Sequence, residues 1–171
     1  MEKLPEPWLR GIKTVGLSPL FQPIVDAWIG AKEDIHKYLT GFDESKLWDQ
    51  PFGCASVGFH LEHMAGVIDR LLTYAENRIL TQTQFEYLKA EGKPKTDVTT
   101  EILLSQLEKA MNEGAKRLIA LSSQNLSSDR KVGRAGLPSS LIGLCVHSAE
   151  HTTRHTGQLI VTAMVLKGQG N

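Results

Sequence analysis

At 171 residues the chain fits a single domain and is long enough to bury its own core. Its 19 basic and 19 acidic side chains balance, which argues against a nucleic-acid-binding face. The N-terminus carries prolines and charges where a secretory signal needs an apolar stretch, and no apolar run reaches bilayer length, so a cytoplasmic protein with no membrane partner and no disulfide is expected.

Residues 1–17 read as an extended N-terminal arm, whose Trp8 and prolines are placed to cover a neighbour; residues 18–171 read as one domain. The first helix is predicted over 18–40, with Ser18 as cap, Pro19 at the first helical position and Gly41 as the stop. A second is predicted over 56–77, where Val57, Met64, Val67, Ile68, Leu71, Leu72 and Ala75 recur at helical spacing. A short extra helix follows over 81–90. A third long helix covers 99–123, with Ile102, Leu103, Leu107, Met111, Leu118 and Ile119 on its buried side, and a fourth covers 138–167, ending at Gly168. The stretches 92–97 and 122–137 read as turn-rich connections, and no segment has a strand's alternation. The expectation is an all-α four-helix bundle. Cys54 and Cys145 share no metal or redox spacing and lie among apolar residues, so both are expected as small buried hydrophobes.

Five of the six histidines fall on two helices. His147, His151 and His155 are spaced by four, so neighbours among them return to nearly the same direction and can reach one point. Their stripe includes Leu144, Leu159 and Leu166 and should face the interior, with His151 and His155 nearest its centre. Two buried imidazoles without partners would each cost about 1–3 kcal/mol, and a shared metal ion satisfies both. His60 and His63 on the second helix offer a third imidazole. Periodicity leaves the choice between them open and leans toward His60. Three protein ligands leave positions free for water or substrate, which is the pattern of catalytic sites. Imidazole donors fit zinc or nickel.

The segments SVGFHLEHMAGVIDRLLTYAE and HSAEHTTRHTGQL, with the order and length of the helices, resemble the DinB/YfiT-like superfamily of bacterial metalloenzymes. The resemblance covers nearly the whole chain. It implies a DinB-like bundle of up-down-down-up connectivity and a homodimer. It also implies one divalent metal ion per chain, bound by His63, His151 and His155; His63 is chosen because Met64 and Ala65 follow it in the family's pattern. The implied activities are hydrolysis, or S-transfer that uses a low-molecular-weight thiol, on a small-molecule substrate. His60 and His147 are then either orienting or proton-handling groups, or packing residues, and His36 is a solvated helix residue.

Gln158, one turn past His155, is placed to orient a ligand. Glu62 and Glu150 each precede a histidine by one position and so point away from it. Asp69, Arg70 and Arg154 read as surface or inter-helix charges, Arg154 being the one placed to meet an anionic substrate. The glycine-rich piece VGRAGLP lacks the ending of a phosphate loop and reads as a flexible lip beside the site. With no carboxylate evident beside the histidines, the rival reading is a non-enzymatic, stress-related metal- or ligand-binding bundle.

Overall fold

The computed structural model describes residues 4–168; the first three residues of the expected arm and the last three of the chain lie outside them. The described chain is mostly helical, with five α-helices and one two-stranded antiparallel sheet. In chain order they are α1 (Gln22–Leu39), α2 (Val57–Ala75), α3 (Gln82–Ala90), α4 (Thr100–Leu121), β1 (Asp129–Val132), β2 (Leu137–Ser140) and α5 (Leu141–Gly168).

The predicted helix ends hold where a capping side chain sets them. The Ser56 hydroxyl accepts the Phe59 N–H at the start of α2. Thr81 and Gln84 form a reciprocal capping box on α3, and Thr99 caps α4. Gly41, at φ +69°, ends α1 as expected. The start of α1 differs. Ser18 is not its cap: its hydroxyl lies 3.4 Å from the Leu20 N–H, its own N–H donates to the Ser122 hydroxyl (2.9 Å), and its carbonyl closes a turn to Phe21 ahead of the helix. The helix begins instead at Gln22, with Pro23 in its first turn.

An all-α chain was expected, and the two strands correct this. Asp129 pairs with Ser140 and Val132 with Leu137, around a turn at 133–136 in which Gly133 and Gly136 both have positive φ. The hairpin is held from below by Arg130, which is buried. Its guanidinium donates to the Ala75 carbonyl at the last turn of α2 (2.5 Å) and to Gln124 and Ser128. Pro138 therefore lies in a strand, and α5 starts three residues later than expected, its first turn capped by Ser140 (3.1 Å to the Gly143 N–H). The glycine-rich lip is this hairpin's tip. Its Arg134 stacks over Phe85 and its base sits at Ala75, at the end of α2 remote from the histidines.

One apolar core joins α1, α2, α4 and α5, with Trp28, Ile35, Leu61, Met64, Leu107, Leu118 and Leu159 at its centre. Ile102, expected on the buried side of α4, is 41% exposed. Helix directions follow from the contacts. Lys167 at the end of α5 reaches the carbonyls of Tyr38 and Thr40 at the end of α1, so these two run the same way. Across α2 and α5 the pairs Ala55–Thr162, His60–His155 and His63–His151 run in opposite order. Arg117 of α4 donates to Asp69, Thr73 and Glu76. Going up α1, the contacts Ser18–Ser122, Trp28–Gly114 and His36–Glu108 go down α4.

α2 is buried on nearly every side, between α4 and α5 and beneath α3. The expected arm folds back on its own chain. Pro7 is buried against Gly30, and Arg10 grips both oxygens of Glu33 (2.6 and 2.7 Å). Trp8 is 67% exposed. Cys145 is buried as expected, whereas Cys54, beyond a 3-10 turn at Pro51–Gly53, is exposed. No helix among the described residues is long and apolar enough to cross a membrane.

Candidate metal centre

The antiparallel contact of α2 with α5 brings five of the six histidines to one place. His63, His151 and His155 each offer a ring nitrogen within 4.8 Å of the other two. Nε2 of His63 lies 3.0 Å from Nε2 of His151, and the His155 ring centroid is 4.6 Å from that of His63 and 4.5 Å from that of His151. Donors held about 2.0–2.1 Å from one ion stand roughly 3.0–3.4 Å apart, which the His63–His151 pair already matches, while His155 stands within 4.8 Å of both.

The proton positions can be worked out from the partners. Nδ1 of His63 lies 2.7 Å from the Glu91 carboxylate, which only accepts when ionised. A neutral His63 therefore donates from Nδ1 and turns the lone pair of Nε2 toward His151. The bridging proton between the two Nε2 atoms then belongs to His151. Its Nδ1 is buried without a hydrogen-bond partner. A cation held by His63 and His151 would replace that bridging proton.

Burial dominates the electrostatics. It pushes His151 and His155 down to about 4, helped in each case by neighbouring histidines. The same cause, with His155 and His63 nearby, takes His60 down to about 4. These imidazoles are neutral at pH 7, the form that ligates a metal.

His60, the rival third ligand, is 3% exposed and lies outside the converging trio. Its Nδ1 sits 2.9 Å from Nδ1 of His155. It also lines a cavity of about 520 Å³ together with Cys54, Arg154, Gln158, Val161 and Thr162. Gln158 is exposed and bonds to none of the histidines. His147 is turned outward to Glu150 (2.8 Å), and His36 is exposed and paired with Glu108. Arg154 pairs with Glu150 at the surface, as expected. Glu62 faces away from the imidazoles, toward the Gly92 N–H and Lys95.

Two residues of the site escape the sequence reading. Glu91, the residue after α3, has a side chain only 3% exposed and holds His63 with one oxygen and Arg70 with the other. Arg70, expected at the surface or between helices, is buried on α2. The carboxylate beside the histidines thus exists, but both its oxygens are engaged, so it is set to orient rather than to shuttle protons. In comparison with known proteins, the chain matches no family model and no curated protein.

Proposed function

We propose that the chain is a divalent-metal-dependent enzyme of the DinB-like superfamily that acts on a small molecule, as a hydrolase or as a transferase using a low-molecular-weight thiol. The observation that carries this reading is the convergence of His63, His151 and His155. The four long helices and their directions, with α1 and α5 parallel and opposed to α2 and α4, support an up-down-down-up four-helix bundle.

His63, His151 and His155 hold one ion, zinc or nickel, as neutral ligands. When bound, such an ion supplies Lewis acidity that lowers the pKa of a water from about 15.7 toward about 7, and favours a thiolate over a thiol. The chain's own groups do the rest. Burial keeps two of the ligands neutral across the working range. Glu91 fixes the orientation of His63, and His60 exchanges a hydrogen bond with His155. The cavity beside His60, with Arg154 and Gln158 on its wall, is of small-molecule size, and Arg154 would meet an anionic substrate there by exchanging its Glu150 partner. A homodimer accompanies this reading, supported by the exposed Val146, Val161 and Met164 on α5.

Elemental analysis of the purified protein should find close to one divalent ion per chain, absent from a His151→Ala/His155→Ala variant. The loaded protein is then screened with thiols plus electrophiles and with esters and amides. Turnover that chelation abolishes supports the enzyme. A metal that only raises the melting temperature favours the non-enzymatic bundle, and no bound metal sinks the site.

A further inference from the structure

The geometry points to Glu91, gripped by Arg70 in the space left by Gly66, as the positioning residue that presents Nε2 of His63 to the ion. The inference rests on the three-histidine reading above.

A neutral imidazole can ligate through only one nitrogen, and the partner of the other decides which. Glu91 Oε2 takes the Nδ1–H of His63 at 2.7 Å, and Glu91 Oε1 accepts from Arg70 Nη1 at 2.5 Å. The side chains of Glu91 and Arg70 are 3% and 9% exposed, so each charge depends on the other.

Glycine is among the poorest helix formers, yet Gly66 lies in the middle of α2, about one turn past His63. A Cβ there would stand 2.4 Å from both Arg70 Nη1 and Glu91 Oε1, and 2.8 Å from the Tyr87 ring. Any side chain at this position displaces the ion pair. The glycine is thus accounted for by the pair it admits.

The segment that carries Glu91 is itself tied to α2. Tyr87 donates to the Glu62 carbonyl (3.1 Å), and the Glu62 carboxylate accepts the Gly92 N–H (2.8 Å) and pairs with Lys95. Gly92 turns at φ +75°, and a Cβ on it would meet Phe59 at 2.8 Å. Phe59 stacks on the His63 ring, centroids 5.0 Å apart and planes 14° off parallel. One short segment therefore fixes both the edge of His63, through Glu91, and its face, through Phe59.

The test uses the full chain. Zinc affinity is measured by chelator competition at pH 7.5 for wild type, Glu91→Gln and Gly66→Ala, with His151→Ala as control. Nitrogen-15 NMR of the metal-free proteins reads the tautomer of His63. Glu91→Gln and Gly66→Ala should each bind zinc about 10–100-fold more weakly. Wild-type His63 should carry its proton on Nδ1, and both variants should lose that single tautomer. Glu91→Gln strands the Arg70 charge, so Gly66→Ala, which keeps both charges and adds helix propensity, separates positioning from folding. Zinc affinities of both variants within threefold of wild type, or a wild-type His63 protonated on Nε2, overturn the positioning role alone. A wild-type chain that binds no zinc overturns the metal reading beneath it.

Discussion

The metal-free protein should lose stability in mild acid through His60, in a window and by an amount that can be worked out. His60 is held at about 4 by burial and by its histidine neighbours, against an ordinary 6.5. As pH falls through 6.5 the unfolded chain takes up a proton that the folded chain refuses. Stability therefore declines from about pH 6.5 and levels off below about 4. At about 1.36 kcal/mol per pH unit the full loss is about 3 kcal/mol, of which roughly 2.5 kcal/mol is gone by pH 4.5. His151 and His155 act in the same sense, with less effect because they are partly open to solvent. Comparison with His60→Gln removes their contribution, since both proteins retain them. Denaturant unfolding of the metal-stripped proteins at pH 7.5, 6.0, 5.2 and 4.5 gives the two curves. His60→Gln should be less stable at pH 7.5 but have the shallower pH dependence, so that the curves converge by about 2–3 kcal/mol at pH 4.5. Parallel curves would mean that His60 is protonated in the folded protein near its ordinary pKa, and the burial argument for the whole cluster would fail with it.

Stoichiometric zinc binding should vanish in His63→Ala, whereas His60→Ala should keep one ion per chain with affinity lowered about 10–100-fold, as read by chelator titration; the reverse pattern would make His60 the third ligand. Under native conditions a thiol reagent should modify one cysteine per chain, the exposed Cys54, because burial pushes the Cys145 thiol up to about 12; mass mapping should place the second label on Cys145 only after unfolding. Gly58→Ala should destabilise the protein by about 1–3 kcal/mol in thermal melts despite its helix propensity, because the new Cβ would lie 2.5 Å from the Trp48 ring.

What could be read from the sequence follows from how each feature is encoded. The pairing of His151 with His155 is visible because both imidazoles lie on one helix, where spacing alone sets direction. His63 could not be separated from His60 by periodicity, because α2 is buried on nearly every side and has no polar face against which to measure an angle. The hairpin was missed for the opposite reason. Asp129-Arg130-Lys131-Val132 and Leu137-Pro138-Ser139-Ser140 lack the alternation of a half-buried strand, and their burial comes from one arginine beneath them. The signal that was available is the turn, Gly133-Arg134-Ala135-Gly136, whose two glycines both adopt positive φ. The helix starts at 56, 81 and 99 were legible because the side chains of Ser56, Thr81 and Thr99 each act within three residues, whereas at Ser18 a turn closed from its carbonyl to Phe21 and a bond from its N–H to the sequence-distant Ser122 hold the chain out of the helix until Gln22.

Glu91 illustrates how a site residue can be invisible locally and still leave a trace. It stands 28 positions from His63, past a helix and at the edge of a loop, with no spacing rule to join the two. The trace is on α2 itself. A glycine in a buried helix gives up helix propensity, and an arginine one turn later, at Arg70, places a charge where an apolar side chain would serve packing better. Either feature alone reads as a weakness. Together they specify a gap of one side chain with a buried cation beside it, and only an anion carried in from another segment can fill it. Leaving Arg70 unpaired would cost about 3–5 kcal/mol, so the fold has a strong reason to keep Glu91 in that gap even without metal. The carboxylate is then in place before any ion binds, and on the proposed reading His63 would need no reorientation to ligate one.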